Sequence, residues 1–149
     1  MQFSKFQHAV GKNVHHLEWC PKYRYNIFRR LDIMNVCVAA IRQSAARHGI
    51  IIMEITVLPN HVHAFVELPM DMSPCQAMQL LKGGSAFEVF RAFPNLRKRY
   101  PNGHLWSKGY MAKSVGDVTI DVVKNYVRNQ YEHHGIQHPE QAPISAYFV

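Results

Sequence analysis

Leu58-Pro59-Asn60-His61-Val62-His63-Ala64-Phe65-Val66 is the stretch on which the reading of the fold turns. An apolar run rich in β-branched residues, Ile50 to Leu58, leads into it and ends at Pro59-Asn60. The apolar pattern resumes at once and continues to Leu68, which predicts a β-hairpin with a tight connection. Strand side chains alternate, so His61, His63, Phe65 and Glu67 fall on one face and Val62, Ala64, Val66 and Leu68 on the other. The apolar face is the one to pack beneath helices. The other offers two imidazoles close enough to grip one metal ion, a pattern that equally fits the wet side of a half-buried sheet.

Upstream, Val14, His16 and Glu18 alternate with His15, Leu17 and Trp19, which predicts a strand up to about Cys20, stopped by Pro21. Lys22-Tyr23-Arg24-Tyr25 then interleaves cations with aromatics. Such a cluster suits phosphate contact and base stacking, and it also suits a solvated turn whose rings cap the core. Leu31 to His48 reads as a helix with Met34, Val38, Ile41 and Ala45 on one stripe and Gly49 as its stop.

Downstream of the hairpin, Ser73-Pro74 supplies a helix N-cap followed by a first-turn proline. Met78, Leu81, Phe87 and Phe90 mark the second apolar stripe. Gly83-Gly84 interrupts it, and each glycine costs about 1 kcal/mol relative to alanine in a helix. Close backbone approach or a kink is expected there. Arg91, Arg97, Lys98 and Arg99 form a short basic run, and His104 to Val115 reads as strand, bend and strand. Gly116-Asp117 turns the chain into a last helix, Thr119 to about His133, followed by a tail, Gly135 to Val149, without periodicity.

The element order is strand, helix, strand, strand, helix, strand, then an appended helix. That is the split β-α-β arrangement of ferredoxin-like α+β folds, with helices on one sheet face and the other left open. One domain is expected, with a core of about 10–116, an appended helix of about 119–134 and the tail 135–149. The 149 residues suffice for a proper core, and 48% hydrophobic with 18% charged residues fits a globular protein. No apolar run approaches bilayer length and Met1 to Val10 lacks signal-peptide features, so a cytoplasmic protein without membrane contact is expected. Cys20, Cys37 and Cys75 have no zinc-finger spacing and are expected reduced and buried. A formal charge of +7 favours a polyanionic partner, because each neutralised phosphate releases condensed counterions.

Tyr126 and Gln130, four residues apart, share a face of the last helix; Lys124 and Arg128 make a basic strip on it. Ile120, Val123 and Val127 form its packing stripe. Packed rings and surface amides are common on helices, so the pair gains meaning only beside the two histidines. Two imidazoles and an amide oxygen leave coordination positions of a divalent cation open for substrate. A cation so held can polarise a phosphodiester, and a tyrosine placed in line can attack the phosphorus. A phenol, with a pKa of about 10, leaves more readily than an alkoxide, so such a link is reversible.

The chain resembles the single-tyrosine HUH transposases of the smallest insertion sequences. The resemblance rests on Val14 to Tyr25 (Val-His-His-Leu-Glu-Trp-Cys-Pro-Lys-Tyr-Arg-Tyr), the Leu58 to Val66 stretch, Leu-Lys-Gly-Gly-Ser-Ala-Phe, Leu-Trp-Ser-Lys-Gly-Tyr and Val-Val-Lys-Asn-Tyr-Val-Arg-Asn-Gln. These lie in the family's order and span Val14 to Gln130. Asn60 departs from the aspartate many relatives carry, and a turn accepts either. The resemblance implies His61, His63 and Gln130 as metal ligands, Tyr126 as nucleophile, and Mg²⁺ or Mn²⁺ as the ion. It implies single-stranded DNA with hairpin ends as substrate, and a homodimer whose tyrosine helix completes the partner's site. Lys22, Tyr23, Arg24, Lys124 and Arg128 are the candidate DNA contacts. A domesticated relative that processes chromosomal hairpin repeats would share this site; a non-catalytic single-strand-binding module would need no nucleophile beside a metal.

Overall fold

The computed structural model describes residues 4–6 and 9–116. Tyr126, Gln130, Lys124, Arg128 and the predicted last helix lie outside the described residues.

A short antiparallel pair, β1 (Ser4–Phe6) and β2 (Ala9–Gly11), precedes the main sheet. The chain then runs through β3 (Val14–Trp19), α1 (Leu31–Arg47), β4 (Ile51–Leu58), β5 (His61–Glu67), α2 (Pro74–Ala92) and β6 (Met111–Ser114). The four long-range strands lie in the order β4-β5-β3-β6, and every neighbouring pair is antiparallel. The first and third strands of this set are thus central and the second and fourth are edges, as the ferredoxin-like order requires.

The packed face follows from alternation. Leu17 and Trp19 of β3, Ile55 and Val57 of β4, and Val62, Ala64 and Val66 of β5 are buried in one cluster with Ile33, Cys37 and Ile41 of α1 and Met78 and Leu81 of α2. Helix α1 ends where Gly49 turns to a φ of 71°, a conformation that costs glycine little, while the Ile50 N–H returns to the Ala45 carbonyl. Helix α2 opens on a complete capping box: the Gln76 N–H donates to Ser73 Oγ, and the Ser73 N–H donates to the Gln76 side chain.

Gly83-Gly84 does not kink α2, which continues unbroken to Ala92. A methyl group at Gly84 would stand 2.8 Å from Ser44 Oγ of α1, whereas one at Gly83 would meet nothing. Close helix approach is the reason for Gly84. The buried stripe of α2 is Ala77, Met78, Leu81, Ser85 and Val89, and Phe87 is 68% exposed rather than packed. The stripe advances by fours from Ala77, and Phe87 is two positions from Val89 and so points away.

Two further expectations are corrected. The strand expected to begin at His104, ahead of the bend, does not form: only Trp106 pairs, in an isolated bridge with Pro21. Proline has no N–H to donate, so the ladder cannot extend through it. Of the cysteines only Cys37 is buried; Cys75 is exposed and Cys20 lies between. No helix among the described residues is long and apolar enough to cross a membrane.

Candidate active site

The sheet register brings the site together. Pairing of β3 with β5 sets Glu18 opposite His63 and His16 opposite Phe65, all on the face away from the helices. One ligand atom from each of Glu18, His61 and His63 lies within 4.8 Å of the others. The carboxylate oxygen Oε2 of Glu18 is 3.6 Å from His63 Nδ1. Glu67 shares the strand face of His61 and His63. Glu67 pairs with Val14, at the far end of β5 from His61, and Glu18 comes from another strand. Alternation alone places Glu18 on a face, but only the inter-strand register places it beside His63.

Hydrogen bonds orient both rings. His61 Nδ1 is 2.7 Å from Asn60 Oδ1, so with the amide oxygen accepting, the proton sits on Nδ1 and the lone pair on Nε2. His63 Nδ1 is 3.0 Å from His16 Nε2, with the Glu18 carboxylate beside it. A carboxylate and an imidazole lone pair both favour a proton on that nitrogen. The His16 ring stacks on Phe65 at 4.7 Å and on His63 at 5.2 Å. Burial lowers the His16 pKa; the Glu18 charge raises it and that of Lys113 lowers it further. His16, His63 and Phe65 are buried, as are Glu54 and Thr56, so the centre of this face is not the open surface expected from the sequence.

A cavity of about 280 Å³ adjoins the site, with Glu18 and His61 in its wall together with Arg24, Gly109, Tyr110 and Met111. Its near rim is the turn after β3. Tyr23 and Arg24 have φ angles of 65° and 50°, consecutive left-handed residues that are not glycine. Each such residue costs roughly 1–2 kcal/mol. The rings of this turn pack on one another and on Tyr100, with Tyr23 exposed and Tyr25 half-buried. Tyr23 stacks on Tyr100 at 6.2 Å, Tyr25 meets Tyr100 edge-on at 5.6 Å, and the Arg99 guanidinium lies 4.3 Å from the Tyr25 ring centre. The Lys22 amine is 5.6 Å from the Tyr23 ring centre. Burial pushes the Tyr100 phenol up to about 12, with Arg99 opposing and Tyr25 adding to the shift.

The opposite rim is the segment before β6, tied to α2. The Lys82 amine donates to the carbonyls of Ser107 (2.9 Å), Gly109 (3.1 Å) and Lys108 (3.4 Å). The Trp106 indole N–H donates to Ser85 Oγ at 2.9 Å, and that hydroxyl donates to the Leu81 carbonyl. The Lys-Gly-Gly-Ser and Trp-Ser-Lys-Gly sequences are therefore two halves of one clamp. Tyr110, a rival nucleophile in the cavity wall, has its pKa raised by a hydrogen bond with Cys75, by burial and by the Cys75 charge. Phenolate is correspondingly disfavoured there.

The donor set suits a divalent cation: imidazoles from one strand and a hard carboxylate oxygen from its neighbour. The four-stranded antiparallel sheet thus carries two histidines and a carboxylate beside a cavity with Arg24 in its wall. Residues 9–130 match the family model described as "Transposase IS200 like", and the chain belongs to that family of transposases. It is 28% identical over 132 residues to the ISDra2 transposase of Deinococcus radiodurans, covering 89% of this chain and 94% of that one. Likeness to the insertion element IS200 transposase of Salmonella typhimurium is also 28%, over 79% of this chain and 76% of that one. A crystal structure of a candidate transposase from Deinococcus radiodurans superposes with a TM-score of 0.69 at 28% identity, covering 85% of this chain and 97% of that one. The structure of a REP-associated tyrosine transposase bound to a REP hairpin shares the fold, with a TM-score of 0.58 at 14% identity over 94% of this chain and 80% of that one.

Proposed function

We propose that this transposase cleaves and rejoins single-stranded DNA at hairpin-bearing transposon ends through a 5′-phosphotyrosine intermediate, in a metal-dependent reaction. The observation that carries the reading is the convergence of Glu18, His61 and His63 on one point of the sheet in a chain of this family. His61 and His63 are the proposed ligands of Mg²⁺ or Mn²⁺, with Gln130 from the last helix and Glu18 as the further oxygen donors. When bound, the ion supplies Lewis-acid polarisation of the phosphodiester. Asn60 and His16 keep the two rings oriented, each by accepting a hydrogen bond from its partner's Nδ1–H.

Tyr126 is the proposed nucleophile. Its phenol oxygen forms a bond to phosphorus while the bond to the 3′ oxygen breaks, and the phenol proton ends on the released 3′-hydroxyl side. Reversal by another 3′-hydroxyl reseals the strand without external energy, because one phosphodiester is exchanged for another. Tyr126 is preferred to Tyr110 because it stands four residues from Gln130, on the same face of the proposed last helix. Lys22, Lys124 and Arg128 are proposed contacts to the phosphate backbone. Two copies are proposed to share their sites, the tyrosine helix of one completing the histidine pair of the other, consistent with the apolar Ile120, Val123 and Val127 stripe.

The test is an adduct trapped on an oligonucleotide carrying the gene's own flanking hairpin, in the presence of Mg²⁺. Peptide mass spectrometry should find DNA on Tyr126, and Tyr126→Phe should abolish the adduct. An adduct on Tyr110 or Tyr131, or cleavage undiminished in chelator, overturns the reading. Mixing His61→Ala with Tyr126→Phe protein should restore cleavage if sites are shared across a dimer; no restoration despite subunit exchange means each copy works alone.

A further inference from the structure

The arginines among the described residues differ in how they are used. Arg97 and Arg99 lie over the rings of Phe90 and Tyr25, Arg30 pairs with Asp32, and Arg91 pairs with Glu88. Arg24 has no carboxylate partner and covers no ring among the described residues, although it stands in the wall of the cavity that holds His61 and Glu18. It is also one of the two residues held in a left-handed conformation. Strain that a glycine or asparagine would relieve persists here in a residue whose side chain makes no structural bond. Such strain is kept when the direction of the side chain matters.

We infer that Arg24 is the phosphate-binding residue of the site: its guanidinium holds the non-bridging oxygens of the scissile phosphate, and the flanking nucleotide lies in the cavity against Tyr110 and Met111. This rests on the reading of the chain as a single-strand DNA transesterase and names the subsite within it. The chemistry of the wall fits a nucleotide. A planar cation with paired donors matches two phosphate oxygens. Tyr110 and Met111, 40% and 38% exposed, present a ring and a thioether to a sugar or base. The carboxylate and imidazoles lie in the same wall, so a phosphate could meet the arginine and the metal ligands together. The Tyr23 ring stacks on Tyr100 while remaining 50% exposed. Its role is to pin the turn that aims Arg24.

The experiment uses the full chain and an oligonucleotide made from the gene's own flank, hairpin and single-stranded arm included. Binding is measured first without divalent metal, so that no cleavage is required. Arg24→Asn and Arg24→Gly, both tolerant of the left-handed conformation, should weaken binding and reduce the log–log salt slope by about 0.7, the share of one single-strand phosphate contact. Arg47→Ala, at the C-terminal end of α1, should leave the slope unchanged. Both Arg24 variants should melt at a higher temperature than the parent, since strain is removed. With Mg²⁺, replacing the scissile phosphate by an uncharged methylphosphonate should cost the parent more cleavage than it costs Arg24→Gly, which has already lost the guanidinium contact and keeps only that of the ion. An unchanged salt slope overturns the inference whatever cleavage shows, as does a methylphosphonate penalty that adds in full to the variant's own. If the parent binds as described but forms no tyrosine adduct, the functional reading fails and the Arg24 contact stands.

Discussion

The two faces of the sheet are built from the same three strands and differ in what holds them. On one face Leu17, Val62, Ala64 and Leu81 are buried by shape alone, in a cluster closed by two helices. On the other, His16, His63, Glu18 and Phe65 meet through stacked rings and directed polar contacts. The first arrangement gains free energy from removing apolar area from water. The second spends conformational freedom to hold donor atoms at fixed positions. Stability is therefore carried by one side of the backbone and the proposed chemistry by the other, and substitutions should separate them.

The largest expected effect is on the polar face. His63→Ala should lower metal-dependent cleavage about a thousandfold or more. The cost in stability should be about 1–3 kcal/mol, since the hydrogen bond with His16 and the stacking of the two rings are lost. Cleavage kinetics and urea unfolding on the same preparation check both halves; a variant that unfolds instead would break the separation. Leu81→Ala on the packed face should do the reverse, costing about 2–5 kcal/mol in urea unfolding while the folded fraction cleaves normally. Gly84→Ala should cost about 1–3 kcal/mol because its methyl meets Ser44, while Gly83→Ala should gain up to about 1 kcal/mol. Equal effects at the two glycines would remove the close approach of α1 and α2 as the cause.

The smallest effect sharpens the contrast between neighbouring histidines. His15 lies on the same side of β3 as Leu17, and burial lowers its pKa from 6.5. The unfolded chain then binds the proton more readily than the folded one, so stability should fall as pH drops below about 6.5 toward the lower folded value. In His15→Gln the dependence of the urea midpoint over that interval should be shallower. An unaltered dependence would assign the whole effect to other groups.

Much of this division was legible in the residues. The hairpin, its two faces, both helices and the capping Ser73 follow from local pattern, because period and capping chemistry are properties of adjacent residues. Glu18 beside His63 was not legible, since register between strands forty-five positions apart depends on the assembled sheet. The 104–110 segment misled for a related reason: its pairing partner is Pro21, and a missing donor in one segment decides the structure of another. Phe87 misled because a bulky apolar residue near a stripe is indistinguishable from one on it until the helix is docked. The contributions of Tyr126 and Gln130 remain proposals, their positions lying outside the described residues.

The central position of β5 bears on which sequence changes this protein can survive. Its neighbours β3 and β4 fix it on both edges, with the pairs Glu18–His63 and Thr56–His63 on one rung. A single inserted or deleted residue inside His61–Glu67 shifts the alternation by one, which would turn an imidazole into the packed core and a valine toward the proposed metal ligands. No such half-step is available as an intermediate, so this strand can vary by exchange of side chains but not in length. A library of length variants should recover survivors from the segments outside the sheet and none from β5.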